Sequence, residues 1–262
     1  MLLTRIRTVQ PLIHNITNYV AMSFNANALL AIGASPIMAH AVEEMDAIVQ
    51  LAQALVINIG TLDVNWLASM TQAMQAARKK SIPIIVDPVG AGASAFRTDA
   101  VLALMNNVSP DVIRGNASEI KALAGESLAE SKGVDSLYAS EAAYAAGKHV
   151  AERYQCTVVV SGAQDFIIHA EKTHVIENGV PLMSRVTGMG CTATALIGAF
   201  CAVESDYFLA STSAMLVMGV AGELAGLLSH GPGSFHMQFL DTLYTLKEED
   251  ITDRMKLTDY VR

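Results

Sequence analysis

Short β-branched runs alternate with longer alanine-rich segments over roughly 160 residues of this chain, and this alternation limits its fold more than any other feature. Residues 54–60 read as a buried strand and 64–79 as the helix after it. Residues 83–87 form a second strand, followed by a glycine loop and a helix near 99–106. A third strand at 111–115 leads to Asn116, placed to cap the next helix. A helix over 141–154 precedes a fourth strand at 157–162. Residues 166–169 and 173–176 read as a hairpin turning at Ala170, Glu171 and Lys172. Beyond residue 188 the chain reads as helical throughout, ending in a helix over 234–249. Repeated strand–helix units imply an α/β protein whose mostly parallel central sheet is flanked by helices on both faces. No linker or repeat divides the chain, so residues 1–262 are expected to form a single domain.

Composition narrows the function classes. The chain is 52% apolar and only 16% charged, which favours a large core and further burial in a homo-oligomer. Net charge is −8, and no basic cluster exceeds Arg78-Lys79-Lys80, so neither nucleic acid nor a membrane surface is an expected partner. Cys156, Cys191 and Cys201 show no disulfide or zinc spacing. The N-terminus lacks signal-peptide character. The apolar segment 215–228 is interrupted by Gly219, Gly222, Glu223 and Gly226 and reads as too short to span a bilayer. A cytoplasmic protein is the expectation.

In parallel sheets ligands bind beyond the carboxyl ends of the strands. Polar and glycine residues gather there: Asn58-Ile59-Gly60-Thr61, Asp87-Pro88-Val89-Gly90, Arg114-Gly115-Asn116-Ala117-Ser118-Glu119, Ser161-Gly162 and Gly188-Met189-Gly190-Cys191. The last run is the most informative. Its glycines leave backbone N–H groups uncovered at a helix start, beside an ionisable side chain, which suits a developing oxyanion. The bland alternative is a tight turn with a buried cysteine. Asp87 closes a hydrophobic strand and can reach a metal or a phosphate-bound water, or simply cap the turn into Gly90. Arg114 offers a fork for phosphate oxygens. Asn116 and Glu119 stand three apart on one helical face, where they hold either the water shell of Mg²⁺ or an ordinary capping box.

Residues 90–95 match GxGxxA, but the acid at Asp111 opens its strand instead of closing it, which rules against a dinucleotide fold. No Walker A or kinase-type HRD or DFG set occurs, so nucleotide phosphates would need another cradle, for which the Gly188–Cys191 loop is the candidate. Amides and hydroxyls at His14-Asn15-Ile16-Thr17-Asn18, with Asn25 and Asn27 beyond, suit a neutral polar heterocycle or alcohol. Ala34-Ser35-Pro36-Ile37-Met38 offers an apolar wall. Ser234, after Gly231-Pro232-Gly233, reads as a helix N-cap. No histidine pairs recognisably with a serine or cysteine, which disfavours a cysteine hydrolase.

These motifs, with Gly33-Ala34-Ser35-Pro36-Ile37-Met38, Asn58-Ile59-Gly60-Thr61-Leu62 and Gly231-Pro232-Gly233-Ser234-Phe235, run in order from residue 14 to 235 and resemble the hydroxyethylthiazole kinase family of the ribokinase-like superfamily. The resemblance implies a three-layer ribokinase-like fold and ATP-dependent, Mg²⁺-dependent phosphorylation of the primary alcohol of 4-methyl-5-(2-hydroxyethyl)thiazole. It also implies a homotrimer with sites between subunits. Carried over by position, Met38 and Gly188 contact the thiazole alcohol, with Asn18 and Asn25 beside them, and Arg114 and Ser161 contact ATP. Asp87, Asn116 and Glu119 hold Mg²⁺, partly through water.

The resemblance further implies that Cys191, with Gly188 and Gly190, is the catalytic group: it stands where most ribokinase-like enzymes carry an aspartate base, and is expected to act as proton acceptor or positioner. A helix N-terminus is expected to lower its pKa from about 8.5. Ser161 replaces a frequent threonine. Met189 replaces a smaller residue, with a side chain large enough to narrow the loop. The rival readings are another ribokinase-like kinase, such as one for hydroxymethylpyrimidine, and a non-catalytic sensor.

Overall fold

The strand–helix repeat begins earlier in the chain than its apolar runs indicate. A computed structural model describes residues 2–126 and 136–260; positions 1, 127–135 and 261–262, included in the expected single domain, lie outside the described residues. The first half runs α1 (Leu2–Val9), β1 (Leu12–Ile16), α2 (Met22–Ile32), β2 (Ser35–Ile37), α3 (Met45–Leu51), β3 (Ala54–Asn58), α4 (Val64–Lys80), β4 (Ile84–Asp87) and α5 (Ala95–Asn107). It continues with β5 (Val112–Asn116), α6 (Ala117–Leu123), α7 (Ser136–Tyr154), β6 (Thr157–Ser161), β7 (Asp165–His169) and β8 (Lys172–Ile176). The last part holds α8 (Met189–Cys201), α9 (Tyr207–Leu227), α10 (Pro232–Thr245), α11 (Glu248–Arg254) and β9 (Leu257–Asp259).

The described strands form one nine-stranded sheet in the order β2-β1-β3-β4-β5-β6-β7-β8-β9. Every pairing from β2 to β6 is parallel, and those from β6 to β9 are antiparallel. Side chains alternate between faces along each strand. Val56, Ile85 and Val159 pack with α1, α2, α8, α9 and α10 on one face. Leu55, Ile57, Ile84 and Val86 pack with α3, α4, α5, α6 and α7 on the other. The result is the expected three-layer arrangement. Register then sets the functional edge: Asn58 lies opposite Asp87, and Asn116 opposite Ser161, at the carboxyl ends of their strands.

Several sequence expectations change. β1 and β2 were not anticipated, because His14 and Asn15 interrupt the apolar run, yet both are fully buried and β1 pairs on both sides. The chain after residue 188 is not helical throughout, since β9 returns to pair with β8. The final expected helix is two, α10 and α11, separated at Leu246. The segment read as too short for a membrane belongs to α9, whose 21 residues are long and apolar enough by length and composition. Its apolarity has a core explanation, because 78% of the relevant window is buried within the protein. Ser234 is not an N-cap; it sits one turn inside α10, and its Oγ accepts from the N–H groups of His230 and Gly231.

Candidate active site

The turn into α8 is built by backbone conformation. Gly188 adopts φ 87°, a left-handed value favouring glycine, and caps α8 with no side-chain bond. The first helical bond at this end runs from Thr192 N to Gly188 O (2.8 Å), so the N–H groups of Met189, Gly190 and Cys191 lack an acceptor within the helix. They form an electropositive end suited to phosphate oxygens. Met189 is buried; its side chain joins the core and the wall of a neighbouring cavity.

Arg114, on β5, reaches this turn. A β-carbon on Gly190 would lie 2.6 Å from Nη1, so the guanidinium and the α8 N-terminus are in direct apposition. Nη2 donates to Ser161 Oγ, and Nη1 lies 3.9 Å from Asp87 Oδ2. Arg114, Ser161 and Gly190 thus share one wall of a cavity of about 580 Å³, which Met183, Met215 and Met218 line with apolar surface. That size and mix suit a small organic ligand with an anionic group.

A buried polar chain runs behind the turn. Asn18 Nδ2 donates to Cys191 Sγ (3.3 Å) and to Asn58 Oδ1 (2.8 Å). Asn58 Nδ2 donates to Asp87 Oδ2 (2.9 Å), which also accepts from Thr194 Oγ1 (2.7 Å). Asp87 Oδ1 is buried with no protein partner. Burial pushes the Asp87 carboxyl up to about 6, against the opposing pull of Arg114. The Cys191 expectation is reversed. Burial, then the Asp87 charge, raises the thiol pKa, and these outweigh the Asn18 and Asn58 hydrogen bonds and Arg114 that favour the thiolate. The surroundings of Cys191 therefore favour the thiol over the thiolate.

Asn116 and Glu119 form a capping box. Asn116 Oδ1 accepts from Glu119 N (3.0 Å), and Glu119 Oε2 accepts from Asn116 N (2.8 Å). Glu119 Oε1 accepts from Gly90 N (2.9 Å), which ties α6 to the loop after Asp87. No group of three or more His, Cys, Asp or Glu is placed to hold a metal ion among the described residues. The donors present fit an ion whose shell is mostly phosphate and water, for which a free Asp87 oxygen and the spare lone pairs of Glu119 suffice.

The other expected residues fall in two places. Asn25 is buried, accepting from Thr192 Oγ1 (2.9 Å) and donating to Thr17 Oγ1 (3.3 Å), so its amide pins α2 to α8. Met38 follows the edge strand β2 and is not among the residues lining the cavity. Sequence reasoning left out Asn58, Thr194 and Asp165 as site residues. Asn58 carried a signal, its position at a strand end. Thr194 is one helical turn beyond Gly190. Asp165, a cavity-lining carboxyl that burial pushes up to about 6, opens β7 and carried no signal in the sequence.

The fold is ribokinase-like: the sheet order and helix layers superpose on a ribokinase-like superfamily protein from Enterococcus faecalis with a TM-score of 0.67 at 14% identity, covering 89% of this chain and 85% of the other. At that identity the likeness concerns the fold alone. The chain belongs to the hydroxyethylthiazole kinase family, whose model matches residues 3–249. A hydroxyethylthiazole kinase from Syntrophus aciditrophicus is 55% identical over 252 residues, 96% of this chain and 93% of that protein. One from Leptospira biflexa is 50% identical over 250 residues, 95% and 93% of the two chains. The structure of a hydroxyethylthiazole kinase protein from Pyrococcus horikoshii OT3 superposes with a TM-score of 0.92 at 43% identity, covering 99% of this chain and 98% of that one.

Proposed function

We propose that this protein transfers the terminal phosphoryl group of ATP to the primary alcohol of 4-methyl-5-(2-hydroxyethyl)thiazole, giving a thiazole phosphate for thiamine biosynthesis or salvage. The observation that carries the reading is the apposition of the Arg114 guanidinium with Gly190 at the uncapped end of α8, beside Cys191. Family membership supplies the acceptor.

Phosphoryl transfer through a loose transition state needs little from a protein except placement and charge stabilisation. The amides of Met189, Gly190 and Cys191 are fixed where charge develops on the phosphoryl oxygens. Arg114 and Ser161 hold the nucleotide phosphates, and the methionine-lined cavity takes the rest of the nucleotide. Gly188, Asn18 and Met38 border the acceptor alcohol. Asn25 acts more remotely, by fixing α2 against α8. Asp87, Asn116 and Glu119 would hold Mg²⁺, with Glu119 and Asn116 acting through water because their facing atoms already serve the capping box. When bound, that ion would supply positive charge that offsets the charge of the phosphates.

The low charge fraction and exposed apolar side chains such as Tyr19, Leu227 and Tyr244 support a homotrimer with sites between subunits. We place the protein in the cytoplasm, where its nucleotide is found. Incubation with ATP, Mg²⁺ and the thiazole alcohol should yield a phosphate monoester by mass spectrometry and one ADP per product. ATP consumption with a hydroxymethylpyrimidine but not the thiazole would overturn the acceptor assignment.

A further inference from the structure

Asn18 and Asn58 form a chain whose direction is fixed from both sides. Asn58 Oδ1 accepts from Gly60 N (2.9 Å), and Asn18 Oδ1 accepts from Ala21 N (2.9 Å). Backbone N–H groups only donate, so neither amide can be flipped without losing one of these bonds. Each Nδ2 therefore points the other way: Asn58 toward Asp87, and Asn18 toward Asn58 and Cys191. The direction does not depend on the charge of Asp87. Its Oδ2 accepts from both Asn58 and Thr194, and a proton on that carboxyl would occupy the unpartnered Oδ1. At the end of the chain the Cys191 sulfur receives a hydrogen bond from Asn18, leaving its S–H no role on that side.

We infer that Asn18, oriented by Asn58, is a positioning residue that turns the Cys191 S–H outward, so that Cys191 serves as a hydrogen-bond donor to the transferred phosphoryl group, not as a base. The inference rests on the reading of the chain as an alcohol kinase and deepens it. Cys191 lies in the same helical turn as the uncapped N–H groups of Met189 and Gly190, and its S–H adds a donor to that cradle. In the reaction an alcohol oxygen lone pair forms the new O–P bond, and the bond between the β,γ-bridging oxygen and the γ-phosphorus breaks with its electron pair leaving on ADP. The alcohol proton passes to a nonbridging oxygen of the new phosphate ester and then to water. Cys191 keeps its own proton throughout.

The test compares Cys191→Ser, Cys191→Ala, Asn18→Asp and the Cys191→Ala/Asn18→Asp double variant. A hydroxyl donates as a thiol does, so Cys191→Ser should stay within about threefold of wild-type kcat, whereas Cys191→Ala loses about 10²-fold or more. Asn18→Asp presents an acceptor to the sulfur and should lower kcat by a similar factor with little change in the KM for ATP. The two losses should not multiply in the double variant. Wild-type kcat should not climb with thiol ionisation between about pH 6 and pH 9.

A loss above about 100-fold in Cys191→Ser, or a wild-type kcat that climbs with thiol ionisation while that of Cys191→Ser stays flat, would overturn the inference in favour of a base. Multiplying losses would overturn the role of Asn18. A Raman S–H band (wild type minus Cys191→Ser) gives a readout independent of turnover. It should move to lower frequency when a non-hydrolysable ATP analogue binds, and should not do so in Asn18→Asp. An unmoved or absent band in the wild type overturns the inference. A shifted band without thiazole phosphate formation overturns only the acceptor assignment.

Discussion

Arg114 and Gly190 occupy space that no larger pair shares: a β-carbon at position 190 would stand 2.6 Å from Nη1, 3.1 Å from Nη2 and 3.2 Å from Cζ. The contact joins β5 to the α8 N-terminus and sets the width of the proposed phosphate cradle. Gly190→Ala should displace the guanidinium and lower kcat/KM for ATP by about 10²-fold, the loss typical of removing one oxyanion donor. The fold should survive, since alanine suits a helix. Steady-state kinetics beside a melting curve would check this, and kinetics equal to wild type would show that Arg114 does not work through this contact.

Removing Arg114 itself acts on the nucleotide. Arg114→Ala deletes the partner of Ser161 and the positive charge near Asp87, so ATP affinity should fall by about tenfold or more. Arg114→Lys should recover only part of it, because an ammonium lacks the fork geometry. Calorimetric titration with ATP would measure both. Unchanged affinity in Arg114→Ala would remove this residue from the nucleotide site.

Asp87 gives a pH signature in stability. Its carboxyl is raised from 3.8 to about 6 by burial, so between these values the folded chain holds a proton that the unfolded chain has released. This contribution is full below about pH 3.8 and is lost as pH rises through about 6. In Asp87→Asn the carboxamide oxygen can keep the Asn58 and Thr194 bonds, while the titration disappears. In metal-free buffer the melting temperature of the variant relative to wild type should therefore rise from pH 4 to pH 7, by several degrees at most. A constant difference across that range would mean that Asp87 titrates normally. Activity should fall at every pH.

Much of this fold was legible because parallel strands buried on both faces read as continuous apolar runs, as in β3 and β6. β1 was not, because the burial of His14 and Asn15 rests on contacts that no linear pattern announces: His14 Nε2 lies 2.9 Å from Ala39 O, and Asn15 donates to the carbonyl of Ile13, while His14 Nδ1 and Asn15 Oδ1 stay unpartnered. The strand-end rule located Asp87, Arg114, Ser161 and the Gly188 turn together. It did not distinguish residues that face the cavity from those that orient them. Asn25 looked like a ligand contact and is a buried pin. Asn58 looked like one rim residue among many and holds Asp87 and Asn18 in line. The Cys191 pKa was missed for a physical reason: a helix N-terminus favours a thiolate only where burial and a neighbouring carboxylate do not outweigh it.

Asn178 holds part of the wall of the cavity that Arg114 also lines. Its Nδ2 donates to Glu223 (3.2 Å) and to the Arg254 carbonyl (2.9 Å), and its Oδ1 accepts from Lys256 N (2.7 Å). One amide thus joins the loop after β8 to α9 and to the chain entering β9. Asn178→Ala breaks all three bonds and leaves their partners partly buried, which should cost about 1–3 kcal/mol. For a chain of this size that corresponds to a melting temperature lower by very roughly 2–12 °C. Because the same loop lines the cavity, KM for ATP should rise more than kcat falls. Calorimetry and steady-state kinetics on one preparation would separate the two effects. An unchanged melting temperature would mean that this amide does not hold the wall, and a lower melting temperature with unchanged KM would mean that the nucleotide does not rest against it.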